Sequence, residues 1–195
     1  MTRGTRALRR SCALMLAALV VAGCGATGGG AAAMNMQEAA ERADSMLDAT
    51  IKAVVPEIQW THDSTTASSC EVWRRRTVLT IISDARRGNF LGVVERHWKK
   101  SGYRISAVRK SADVPAVFAQ SADGFQITLE FGHKGQAFFE VATPCVEESA
   151  VADPASQPNG PAYAPGEIPT PNVRSDFWSA TGPAVPPAGQ PSSSS

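Results

Sequence analysis

Phe125-Gln126-Ile127-Thr128-Leu129-Glu130-Phe131 alternates apolar and polar side chains without a break, and Gly132-His133-Lys134-Gly135 follows as a turn. Successive side chains of a strand point to opposite faces. Phe125, Ile127, Leu129 and Phe131 therefore share one buried face, and Gln126, Thr128 and Glu130 share a wet one. Beyond the turn, residues 136–143 continue as a second strand, with Ala137, Phe139 and Val141 toward the core. Strands joined by so short a turn pair antiparallel, so the chain builds an antiparallel sheet with one covered face.

Working outward, Asp123-Gly124 is a hairpin signal that joins this strand to another at 116–120. Residues 104–109 and 72–82 also carry the β-branched and aromatic content of strands, and 58–61 reads as a short one. Residues 62–69 are polar and read as a loop. Two stretches have helical spacing instead. Met36, Ala40, Ala43, Leu47, Ile51 and Val54 form one stripe over 36–54, with Glu38, Glu41, Asp44 and Asp48 off it, and Pro56 ends it. Asn89 is the expected N-cap of the second helix. Phe90, Leu91, Val94 and Trp98 are its apolar stripe, and Gly102 is its stop. The order predicts an α+β fold: an antiparallel sheet of about five strands with two amphipathic helices on one face.

The N-terminus reads differently. Arg3, Arg6, Arg9 and Arg10 precede a short apolar run ending in Val21-Ala22-Gly23-Cys24. A basic start followed by a short apolar core is the pattern of a cleaved export signal, and the run is shorter than the ~20 residues a bilayer-spanning helix needs. Ser11-Cys12-Ala13 suits twin-arginine export poorly, so the general secretory route is expected. Val21-Ala22-Gly23-Cys24 resembles the lipobox of bacterial lipoproteins. The resemblance implies that Val21, Ala22 and Gly23 are recognised, that residues 1–23 are cleaved as the signal, and that the Cys24 thiol carries a diacylglycerol. The new amine can be acylated too. Valine replaces the commoner leucine at position 21. In composition and layout the chain also resembles the exported lipoproteins of actinobacteria, which implies anchoring on the outer face of the cytoplasmic membrane. Residues 24–33 then read as a Gly/Ala tether, 34–148 as the folded domain, and 149–195 as a disordered tail rich in Pro, Ser, Ala and Gly. Within that tail Phe177 and Trp178 form a candidate docking motif, unless they fold back onto the domain.

Loss of the four signal arginines lowers the basic count from 19 to 15 against 18 acids, a net charge of −3. Cys70 and Cys145 remain once Cys12 leaves and Cys24 is acylated; in an exported chain such a pair is expected to form a disulfide. Residues 71–110 hold 11 Lys and Arg against 3 acids. Arg74, Arg76, Arg86, Arg87, Arg96, Lys99 and Lys100 are candidate contacts to an anionic surface.

Catalytic patterns are sparse. His62-Asp63-Ser64 has the residue types of a triad but lies in one loop, and no Cys-x-x-Cys or paired histidines mark a metal site. Gly23, Gly25 and Gly28 have dinucleotide-loop spacing, but they straddle the cleavage point instead of joining a strand to a helix. No enzymatic activity, cofactor or metal is expected, and nucleic acid is not an expected partner of a net acidic exported chain. The expected role is a non-enzymatic binding module held at the membrane by its lipid, with an envelope protein or anionic polymer as partner. The alternative is a carrier or sensor of a small or lipidic ligand held between sheet and helices, lined by Trp73, Phe90, Trp98, Phe118, Phe125, Phe131 and Phe139.

Overall fold

A computed structural model of the chain describes residues 33–164 and 166–182. Its elements are α1 (Met36–Lys52), β1 (Trp60–His62), β2 (Thr66–Ala67), β3 (Val72–Val78), α2 (Asp84–Lys100), β4 (Arg104–Arg109), β5 (Ala116–Gln120), β6 (Gln126–Phe131), a 3-10 turn (His133–Gly135) and β7 (Ala137–Ala142). Val21, Ala22, Gly23 and Cys24, with the rest of the expected signal and most of the expected tether, lie outside the described residues.

All strand pairs are antiparallel, in the order β1-β3-β7-β6-β5-β4, with β2 added beside β3. The fold is α+β, and its seven strands exceed the expected five or so because residues 62–69, read as a loop, hold β2. The register sets the covered face. Arg74 opposes Val141, Arg76 opposes Phe139, Leu129 opposes Phe139 and Val117 opposes Leu129. Both helices pack on that side. The Phe90 ring from α2 meets Phe131 and Phe139 at 6.0 Å each, and Asp44 from α1 reaches Arg74. The Trp98 indole N–H donates to Thr50 Oγ1 at 3.0 Å, which ties α2 to α1 inside the core. The opposite face carries Arg75, paired with Glu140 at 2.8 Å, and half-buried Trp73, Phe118 and Phe138.

Local chemistry explains the element ends. Asn35 and Glu38 form a capping box at the start of α1, each side chain accepting the other's backbone N–H at 3.0 Å. Gly124, with φ +92, makes the β5–β6 turn that an L side chain would strain. The second helix begins at Asp84, not after Asn89, so Arg86 and Arg87 lie within it. The reason is continuity of its buried face: Arg86 stands one turn before Phe90, which precedes Val94 and Trp98 at the same interval. The Ser83 hydroxyl ahead of it donates to Ala180 O.

The disordered tail expected over 149–195 is corrected for the described residues. Leu79 to Ile82 leave the sheet and pair with the C-terminal segment: Val173 N–H donates to Leu79 O at 3.0 Å and Ile81 N–H to Val173 O at 2.8 Å. Asn159 Oδ1 accepts the Trp60 N–H at 3.0 Å, and its amide donates to Ile58 O at 3.0 Å. At Gly160 a Cβ would lie 2.9 Å from Trp60 O and run into Leu79, so only glycine lets the segment lie this close to β1. Pro-, Ser- and Ala-rich chain has no apolar periodicity, yet its backbone groups here find partners across the edge of the sheet.

Cys70 and Cys145 form a disulfide, with Cα atoms 4.7 Å apart. It joins the entry of β3 to the exit of β7, across a sequence separation of 75. Its removal in a Cys70→Ser/Cys145→Ser variant is expected to cost about 2–4 kcal/mol. Urea unfolding of the two proteins checks this, and equal midpoints would show that β3–β7 pairing alone holds these ends.

Candidate functional site

The seven candidate cations separate into two groups. Arg74 and Arg76 do share one face of β3, but it is the face that α1 covers, and both are buried. Arg74 Nε lies 3.3 Å from Asp44 Oδ2, while its terminal nitrogens donate to Ala152 O at 2.6 Å and to Thr65. Arg76 Nη1 donates to Asp48 Oδ1 at 2.6 Å. Its Nη2 donates to Asp44 O at 3.3 Å and to Ser156 Oγ at 3.2 Å, and its guanidinium sits 4.2 Å over the Trp60 ring. Arg86 is also buried, 4.7 Å over the Phe177 ring. Arg87 pairs with Asp84 at 2.8 Å and lies over Phe131. Arg74, Arg76 and Arg86 are therefore removed as surface contacts, because each completes the interior between sheet, helices and C-terminal segment.

The helical spacing puts Asp44 and Asp48 off the apolar stripe of α1, and Asp48 is exposed. Asp44 is buried instead, one turn beyond Ala40 and one before Asp48, on the flank of the apolar stripe that faces Arg74 and Arg76 of β3. Two acids at this spacing opposite a cationic strand were the legible signal. Burial pushes the Asp44 carboxyl above its ordinary value, and the opposing pull of Arg74, Arg76 and His62 does not cancel it. Burial likewise lowers Arg76, against the hydrogen bond and charge of Asp48.

A raised carboxyl pKa means that the native protein holds this proton more tightly than the unfolded chain. That contribution to stability is present below the ordinary value of 3.8 and is lost as pH rises through the raised folded value. The stability of wild type relative to Asp44→Asn is thus expected to fall as pH rises across that window, measured by urea midpoints. A difference that stays constant would show no net shift at Asp44.

Arg96, Lys99 and Lys100 form the exposed group, on the last two turns of α2. Lys99 pairs with Glu95 at 2.6 Å. Cations at a helix C-terminus meet its negative dipole end favourably. Burial first, and then Lys100, lower the His97 pKa. Arg104, exposed at the start of β4, extends the group and donates to Gln120 at 2.7 Å. It was not singled out from the sequence, where it reads only as the polar end of a strand.

Phe177 and Trp178 are not a free motif. Trp178 is 0 % exposed, meets Phe90 edge-on at 5.1 Å, and donates its indole N–H to Pro56 O at 2.7 Å. Of the aromatics expected to line a ligand hollow, Phe90, Trp98, Phe125, Phe131 and Phe139 fill the core, while Trp73 and Phe118 lie on the opposite face. Among the described residues no cluster of three or more His, Cys, Asp or Glu is placed to hold a metal ion, and no helix is long and apolar enough to cross a membrane.

The described residues thus define an α+β module with a sealed core, a buried arginine–aspartate cluster and one exposed cationic end. No protein-family model and no curated protein matches the chain. It is similar to a solved DUF4853 family protein from Actinomyces odontolyticus ATCC 17982, with 12% identity and a TM-score of 0.34 over 72% of this chain and 78% of that one.

Proposed function

We propose that the protein is a lipid-anchored bacterial surface lipoprotein that acts without catalysis, as an interaction module at the outer face of the cytoplasmic membrane. Its exposed cationic end would engage phosphate-bearing headgroups or envelope polymer. The observation that carries this reading is where the chain enters the fold. The segment after Cys24 reaches α1 at Asn35, and Arg42, about 10 Å further along the helix, binds Asp123 in the β5–β6 turn at 3.4 Å. Tyr103 feels the charges of both Arg42 and Asp123, and Arg104 follows it directly. Arg104, Lys100, Lys99 and Arg96 therefore belong to the end of the domain at which α1 begins. A basic side chain near an anionic surface contributes about 1 kcal/mol, and salt screens it.

Two measurements test this. Labelled palmitate is expected to enter the wild-type protein and not Cys24→Ala; label retained by the variant would overturn the anchor. Separately, the mature chain carrying Cys24→Ala is expected to sediment with phosphatidylglycerol vesicles at low salt and to be released at high salt. Lys99→Glu/Lys100→Glu/Arg104→Glu is expected to weaken this by roughly 100-fold, from three lost contacts. Equal sedimentation with neutral phosphatidylcholine vesicles would rule out the electrostatic contact.

A further inference from the structure

The segment that leads into α1 is received by residues 146–152, just past the last strand. Met36 N–H donates to Glu147 O at 2.9 Å, and Glu147 N–H donates to Met34 O at 3.2 Å, so that Asn35 and Glu147 form a parallel bridge. Gln37 N–H donates to Ser149 Oγ at 3.1 Å, and Gln37 Oε1 accepts the Ala152 N–H at 2.7 Å. The first N–H groups of a helix have no partner within it. Met36 and Gln37, the first two residues of α1, give theirs to this distant segment.

Apolar packing seals the same junction. Met36, Ala40 and Val72 form a buried cluster of their own, apart from the main core, with Val146 and Val151 packed against it. Val146 N–H donates to Cys70 O at 2.8 Å, next to the Cys70–Cys145 disulfide. The entry to α1, residues 146–152 and the start of β3 thus make one small unit closed by a covalent bond.

Chain ends and the first turn of a helix are ordinarily where a domain opens at least cost. A domain held by a lipid at its N-terminus, with its surface gripping an envelope component, carries any relative movement of the two as tension at this entry. Tension on Met34 passes through the hydrogen bonds to Glu147 and Ser149. The backbone then leads it through Cys145 to the end of β7, where Ala142 pairs with Trp73. Pulling on that end alone would peel β7 from β3 one pair at a time, and each step would break little. The disulfide joins the two strands at this end, so peeling cannot begin there and the load divides between β3 and β7.

We propose that Met34–Gln37, residues 146–152 and the Cys70–Cys145 disulfide form a load-bearing latch, which keeps the domain folded when it is pulled by its N-terminus. Its use rests on the anchored reading above; its strength is a property of these contacts.

Optical tweezers test the latch on the mature chain carrying Cys24→Ala, held at constant load through peptide tags that need no cysteine. One axis runs from the N-terminus to a tag beside Gly102, in the exposed turn between Lys100 and Arg104. The second runs from that tag to the C-terminus and does not pull on Met34. On the first axis Cys70→Ser/Cys145→Ser is expected to shorten the folded lifetime at least about tenfold. Ser149→Ala is expected to shorten it about fivefold, the equivalent of one hydrogen bond. On the second axis Ser149→Ala is expected to leave the lifetime unchanged, and loss of the disulfide to shorten it by a smaller factor. A wild-type lifetime in either variant on the first axis would overturn the latch. So would equal shortening on both axes, because a disulfide that only stabilises the fold acts alike in every direction. Palmitate labelling retained by Cys24→Ala would remove the anchor and leave these lifetimes unaffected, so the two readings fail separately.

Discussion

Trp178→Ala is expected to lower stability by about 3–5 kcal/mol, the range for removing a fully buried large aromatic. The loss has three parts. The indole packs edge-on against Phe90, its N–H bond to Pro56 O disappears, and Phe177 loses a ring contact at 4.8 Å. The effect extends beyond one side chain, because Trp178 closes the segment whose backbone pairs with Leu79 and Ile81. Truncation after Ser149 removes those bonds as well, and with them Ala152 and Ser156, the partners of Arg74 and Arg76. The truncated chain is therefore expected to be less stable than Trp178→Ala. Urea unfolding followed by tryptophan fluorescence measures both. A Trp178→Ala midpoint close to wild type, with the truncated form equally stable, would mean that residues 150–182 are an ornament on a core that closes without them.

That segment also shows where sequence reading stops. β5 and β6 fall where the Asp123-Gly124 turn and the alternation of residues 125–131 place them, because these signals are local: side-chain period, turn chemistry and a glycine with positive φ. The start of α1 is equally local, written in Asn35 and Glu38. The start of α2 was missed because Gly88-Asn89 looks like a boundary, whereas Arg86 continues the buried face through it. Residues 150–182 were missed for a different reason. Asn159, Gly160, Val173 and Trp178 are held by partners about 80–120 residues away, and nothing in their own neighbourhood encodes that. The candidate site divides the same way. Arg96, Lys99 and Lys100 are exposed as their position off the apolar stripe of α2 implies. Arg74 and Arg76 obey the strand period, but the period alone does not say which face is covered. Only Asp44 and Asp48, brought over that face by α1, decide it.

Arg76→Ala tests that decision most severely. Asp44 would keep Arg74 at 3.3 Å but lose its second cation, and Asp48 and Ser156 would lose a shared partner. Deleting one member of a buried ion pair costs about 3–5 kcal/mol where the charge left behind is buried and unmatched; here Asp44 keeps one cation and Asp48 reaches water, so a cost toward the lower end, about 3 kcal/mol, is expected. Loss of the stacking on Trp60 adds to this, at 4.2 Å between guanidinium and ring. Removing the charges together behaves differently. In Asp44→Leu/Arg74→Met/Arg76→Met no buried ion of this cluster remains, while Asp48, 49 % exposed, returns to water. This triple variant is expected to recover most of the stability that Arg76→Ala loses, since apolar residues of similar volume replace buried pairs at little net cost. Urea midpoints for the three proteins decide the matter. If Arg76→Ala costs less than about 1 kcal/mol, the cluster behaves like a surface ion pair and water reaches Asp44. If the triple variant is no better than the single one, the cluster holds α1 and the C-terminal segment against β3 through its directed hydrogen bonds, and apolar packing does not replace them.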